Sequence, residues 1–268
     1  MNSTVLIILI LIAVTWLAST VGSALVVFFK RENNQMSSTI LGFAAGVMLV
    51  AAFWHLLHPA FDIAEQHTPF EPVVVVTGGF LLGCFIILLL DMCLNRVKKR
   101  REHTNGGQGL RFKQSFMLVG SISLHKLPEG FAVGVLLGAL CDCHMDEQLL
   151  ALLPVLVALA LHNLPEAAAV SISFRKEGLS RTKSFFTGQV PGVSELLSGI
   201  AGFLVVTNIA GVMPYAMSFA AGAMVWVVVH EIIPECQKNR GKNPYLATIG
   251  IVVGLALMIA MDALFCIK

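Results

Sequence analysis

Long apolar runs, broken at regular intervals by short polar stretches, make up most of this chain. Eight runs stand out: 3–29, 39–61, 72–95, 114–140, 148–174, 184–207, 212–236 and 245–267. Crossing a bilayer as a helix takes roughly 20 mostly apolar residues, and each run meets that length. None shows the two-residue alternation of a membrane β-strand. Each carries glycine, proline or both, which membrane helices tolerate. The pattern predicts an all-α, polytopic membrane protein with eight transmembrane helices. The first run has no basic residue ahead of it and outlasts a signal-peptide core, so it is read as a retained helix.

Composition leaves no room for anything else. The chain is 56% hydrophobic and 13% charged, with a mean hydropathy of +0.81, where a soluble domain carries about 25% charged residues. Residues 1–268 are therefore read as one transmembrane domain. The polar stretches divide by charge. Lys30 and Arg31 lie in the first, and Arg96, Lys98, Lys99, Arg100, Arg101, Arg111 and Lys113 in the third, 96–113. Arg175, Lys176, Arg181 and Lys183 lie in the fifth, and Lys238, Arg240 and Lys242 in the seventh. Those stretches alternate with others that hold no Lys or Arg. The positive-inside rule makes the basic ones cytoplasmic, with 96–113 as the basic cytoplasmic loop between helices 3 and 4. An even number of crossings then puts both termini on the extracytoplasmic side of a cell or inner membrane.

The opposite loops, FDIAEQHTPFE (61–71) and CDCHMDE (141–147), are acidic. They read either as solvated turns or as a mouth whose single-sign field concentrates cations. Cys141, Cys143 and His144 could hold a soft metal or form a disulfide. Cys84, Cys93, Cys236 and Cys266 sit in or near apolar runs and read as packing residues.

Ionisable residues at membrane depth are costly and point to function. The runs contain His55, His58, Asp91, His125, Lys126, Glu129, His162, Glu166, Glu195, His230, Glu231, Glu235 and Asp262. His58, Asp91 and Glu235 lie close enough to run ends to be interface or cap residues; Asp262 stays open. Two stretches repeat one pattern: LHKLPEGFAVG (124–134) and LHNLPEAAAVS (161–171). His125 and Glu129 are four apart and share a helix face, as do His162 and Glu166. Pro128 and Pro165 withhold a backbone donor from the carbonyls of Leu124 and Leu161, and a freed carbonyl in the membrane needs a polar partner. Imidazole with carboxylate suits zinc, iron, manganese and similar divalent ions. Two such helices supply the four ligands of a tetrahedral site, with Glu195 as a further group from a third helix. The plainer alternative is a pair of buried His–Glu hydrogen bonds; a matched double occurrence with prolines favours metal.

These motifs resemble the ZIP family of divalent metal transporters, most closely its GufA-like branch. HKLPEG and HNLPEA resemble the family signatures of the fourth and fifth helices. LGFAAGVMLVAAFWHLLHPA looks like the second helix, GQVPGVSELLSG the sixth and HEIIPE the seventh. The resemblance covers nearly the whole chain. It implies a 3+2+3 arrangement whose outer triplets form an inverted repeat, and inward transport of a divalent transition-metal ion, zinc first, with Fe2+, Mn2+, Cd2+ and Co2+ close. The implied metal ligands are His125, Glu129, His162, Asn163, Glu166 and Glu195, with Met48 as a thioether. His230 and Glu231 match positions on the exit pathway.

One position departs from the family pattern: the first motif His is followed by Lys126 where Asn is common. An ammonium cannot ligate a metal. Placed among carboxylates it stands where a second ion would, which favours a single-metal site; the alternative is a Lys126 that snorkels away. Rival readings are a metal sensor or receptor without transport, a proton-driven carrier of another solute, and an intramembrane metalloprotease. The last needs H-E-x-x-H, and position 234 is Pro, so no enzyme is expected. No G-x-x-x-x-G-K-[ST] occurs. The expected partners are a divalent metal ion, the lipid bilayer and, as an option, a second copy in a homodimer, with no nucleic acid.

Overall fold

In a computed structural model of the chain, the described residues are 3–24, 34–104, 123, 126–138, 157, 160, 163–164, 167–168, 170–172, 174–175, 179–209, 211–238 and 245–265. Among them there are helices and no strands. α1 spans Ser3–Ala24. α2, Asn34–Val50, runs on through a π-helical stretch, Ala51–Leu57, into α3, His58–His67. α4 is Pro72–Thr104 and α5 covers 126–138. The described residues between 157 and 175 are all helical and are called α6. α7 is Arg181–Asn208. α8, Met213–Val227, continues through a second π stretch, Val228–Ile232, into α9, Ile233–Lys238. α10 is Leu246–Phe265.

Four helical stretches are long and apolar enough to cross a membrane: Ser38–His67, Pro72–Cys93, Arg181–Asn208 and Met213–Gln237; Ile10–Ala24 and Leu246–Met261 are shorter apolar helices. Much of runs 114–140 and 148–174 lies outside the described residues. α4 extends past its expected end at 95 to Thr104, into the stretch read as a loop. Its tail RVKKRREHT is rich in Lys, Arg and Glu, good helix formers, so the helix continues where the apolar run stops.

The two π stretches share a cause. Pro59 and Pro234 each stand four residues after a histidine, His55 and His230. Proline offers no N–H to the carbonyl four residues back and crowds it. The turn before it widens, and the N–H of His58 bonds Phe53 O, five residues back. Such widened turns recur at functional sites.

Helices meet through small residues, as membrane helices do. α2 lies along α10: a Cβ on Gly42 or Gly46 would collide with the carbonyl of Ala247 or Ile251, and one on Gly250 or Gly254 with that of Thr39 or Phe43. α4 lies along α8 in the same way, Gly83 against Phe219 O and Gly222 against Phe80 O. The two central helices carry nearly the same heptapeptide, GFAAGVM at 42–48 and SFAAGAM at 218–224. Outward faces are apolar: Val73, Leu81, Leu82 and Phe85 of α4 and Val252, Val253 and Ile259 of α10 are more than half exposed. In water this would be an aggregating surface.

Candidate metal site

The site is built where α5, α6 and α7 meet beside α1. α5 and α7 approach to backbone contact, because a Cβ on Gly130 would collide with Glu195 O and one on Gly134 with Gly199 O. That approach sets Glu129, one residue before Gly130, next to Glu195. Pro191 inside α7 leaves a carbonyl of the preceding turn without its helical donor. One turn on, Ser194 Oγ donates to Pro191 O at 2.6 Å and lies 3.0 Å from Ser123 O.

Four polar side chains converge here, each at most 3% exposed: Lys126, Glu129, Asn163 and Glu195. Lys126 Nζ donates to Glu129 Oε2 at 2.7 Å and to Asn163 Oδ1, and stands 3.9 Å from Glu195 Oε2. Asn163 Nδ2 donates to both carboxylate oxygens of Glu195, at 2.8 and 3.0 Å, and lies 3.5 Å from Thr15 O on α1. Lys126 therefore turns inward instead of snorkelling. One amino group stands between two carboxyl groups, so the formal charges of these three side chains leave an excess of one negative. Buried charges persist only when paired and hydrogen-bonded, and here the pairing links two elements while the amide links a third.

Of the residues expected at the site, His125, His162 and Glu166 lie outside the described residues, as do Cys141, Cys143 and His144. Among the described residues no three His, Cys, Asp or Glu side chains converge on one point; the two carboxylates and the Asn163 amide are what this part of the chain contributes. Met48 is buried in the apolar core with Ala45, Leu56 and Met224. His230 and Glu231 fall in the second π stretch, away from the cluster on α8. His230 Nε2 lies 3.5 Å from Asp91 Oδ2 on α4, and its ring packs on Trp226. Asp91, legible in the sequence only as a residue near a run end, thus pairs with a candidate exit residue. His55 is buried in the first π stretch, while His58 stacks on Trp54 and faces Asp62 at 3.7 Å on the surface. Sequence reasoning missed Thr15, whose carbonyl closes the cluster; nothing in an apolar run marks a main-chain acceptor.

A family model described as "ZIP Zinc transporter" matches residues 4–115 and 107–262. Among similar curated proteins, "Zinc transporter ZIP11" of Xenopus tropicalis is 29% identical, the match covering 92% of this chain and 94% of that protein. "Zinc transporter ZIPB" of Bordetella bronchiseptica is 32% identical over 91% of this chain and 77% of its own length. "Zinc transporter GufA" of Myxococcus xanthus is 26% identical over 91% and 93%. With nearly its full length matched and its helices apolar, this chain belongs to the ZIP family of zinc transporters, and is a membrane transporter rather than an enzyme.

Proposed function

We propose that this chain moves zinc into the cytoplasm through a site made by His125, Glu129, His162, Asn163, Glu166 and Glu195, with Met48 as an additional thioether. The observation that carries the reading is the convergence of Glu129, Asn163 and Glu195 from three elements at a point withdrawn from solvent. The partly described HKLPEG and HNLPEA motifs add His125, four residues before Glu129, and His162 and Glu166, one before and three after Asn163. Lys126 takes the place of a second ion. Two unit charges about 4 Å apart interact by about 4 kcal/mol at an effective dielectric near 20, enough for a resident ammonium to oppose a second cation. His230, Glu231 and Asp91 line the cytoplasmic end of the route. The acidic segments 61–71 and 141–147 form the outer mouth, with both termini on that same side of a cell or inner membrane.

The arrangement proposed is 3+2+3, with eight crossings. Its support is internal: α2 on α10 and α4 on α8 use the same glycine contacts, the heptapeptides at 42–48 and 218–224 match, and each is followed by a proline-widened turn. An inverted repeat would impose those equivalences. Zinc uptake into vesicles holding the purified protein tests the function. Glu129→Gln and Glu195→Gln should each abolish saturable uptake at matched protein content. Unmodified kinetics in both variants would overturn the site, and binding without any uptake would leave a receptor.

A further inference from the structure

α1, α6 and α7 share a polar seam that runs on from the metal site. On α1, Thr15, Ser19 and Ser23 recur every four residues and are all buried, so they lie on one face. α6 presents Asn163 and Ser171, eight residues apart and both 0% exposed. α7 presents Ser184, Gly188, Gln189 and Gly192 before it reaches Glu195. The contacts order these groups along the seam. Beyond the Thr15–Asn163–Glu195 cluster, a Cβ on Gly192 would stand 3.0 Å from Ser19 Cβ and 3.1 Å from Trp16 Cδ1. Next, Thr20 Oγ1 donates to Gln189 Oε1 at 2.9 Å. Next, a Cβ on Gly188 would collide with Ser171 Oγ and stand 2.8 Å from Ser23 Oγ. Ser184 lies one turn further toward Arg181 and Lys183.

Along this seam five buried groups have no hydrogen-bond partner within the protein: Trp16 Nε1, Gln189 Nε2, Ser23 Oγ, Ser171 Oγ and Ser184 Oγ. Other hydroxyls of these helices turn back onto their own carbonyls, as Thr15 does to Ile12 O, Thr20 to Trp16 O and Ser198 to Glu195 O. The Ser23 and Ser171 hydroxyls instead face each other across the side of α7 that Gly188 leaves without a side chain. Orphaned polar groups at membrane depth need a partner, and a buried water takes two to four such groups when there is room. The run from Thr15 to Ser23 is about 12 Å of helix, close to half the roughly 30 Å hydrocarbon thickness.

We propose that this seam holds a file of ordered water, running from the Asn163–Glu195 pair to the basic end of α7. It gives the carboxylate cluster an aqueous connection along α1 and α7, apart from the contact between α4 and the second π stretch where Asp91 and His230 meet. Bound water photolysed by a synchrotron beam oxidises the side chains beside it. The test is therefore X-ray hydroxyl-radical footprinting of the purified, full-length protein without added metal. Trp16 should be oxidised at least tenfold faster than Phe174, which is buried against Val170 and Leu179, and its rate should fall at least threefold in Gly188→Ala. Where Gly188→Ala does not fold, the double variant Ser23→Ala with Ser171→Ala removes two of the water's partners and should give the same fall. A Trp16 rate no greater than that of Phe174, or one unchanged in the folded variants, overturns the proposal and leaves the hydroxyls bonded to their own helices. The readout is independent of zinc uptake, so a failed water file and a failed transport site are told apart.

Discussion

Lys126 Nζ sits 2.7 Å from Glu129 Oε2, three residues along the same helix, with both side chains at most 3% exposed. A helix surface brings residues three apart together, so the pair needs no outside help to form. What it needs is a reason to stay buried, and Asn163 and Glu195 supply it by accepting and relaying the charge. Removing one partner of a buried ion pair costs about 3–5 kcal/mol. Lys126→Met should therefore lower the thermal midpoint of the metal-free protein. A ligand at 100 times its Kd stabilises by about 2.7 kcal/mol, so saturating zinc should raise the variant's midpoint more than the parent's if the ion takes over the ammonium's place. Lys126→Asn should raise bound zinc from one toward two per chain by elemental analysis. Two ions in the unmodified protein would rule out the surrogate role.

Gly78 and Gly83 lie five residues apart on α4 and should respond oppositely to the same change. A Cβ on Gly78 meets nothing within 4 Å, whereas one on Gly83 collides with Phe219 O and stands 2.9 Å from Ala223 N. Alanine is favoured over glycine inside a helix by roughly 0.5–1 kcal/mol. Gly78→Ala should be neutral or slightly stabilising. Gly83→Ala should force α4 off α8, with a loss exceeding the 1–3 kcal/mol usual for overpacking. Thermal unfolding in detergent compares them; equal midpoints would mean that α4 and α8 are not in backbone contact.

Asp91 and His230 join α4 to the second π stretch at 3.5 Å, with the imidazole 54% exposed. A pair this open contributes under about 1 kcal/mol to stability. Asp91→Asn should leave unfolding nearly unchanged. If His230 receives the departing ion, the same variant should lower the maximal uptake rate several-fold with little change in KM. A raised KM at an unchanged maximal rate would place Asp91 on the entry side instead.

Hydropathy made legible the four helices that, among the described residues, are long and apolar enough to cross a membrane. Glu129 and Glu195 were conspicuous as ionisable groups in apolar runs, whereas Asn163, which is not ionisable, came only with the family resemblance. Other features left no such mark. The widened turns depend on Pro59 and Pro234 acting on carbonyls four residues back, which a search for charged residues passes over. Thr15 enters the cluster through its main chain, so its side-chain type says nothing. Ser19, Ser23 and Ser184 look like tolerated small residues one at a time; their meaning lies in a register shared by three helices far apart in sequence. Asp91 appeared as a helix-end residue because its partner is 139 positions away in the chain.

The glycine seams of α2 with α10 and α4 with α8 also govern how such a chain drifts. At Gly42, Gly46, Gly250 and Gly254 the obstacle to change is a neighbour's backbone, which no compensating side-chain substitution can remove. On the lipid side, Val252 or Leu257 can be exchanged for almost any apolar residue, since hydrocarbon tails accept them all. Mutational freedom is thus lavish over the outer surface and nearly nil along a few lines of contact. Sequences can diverge widely over the outer faces without the helices losing their grip on one another.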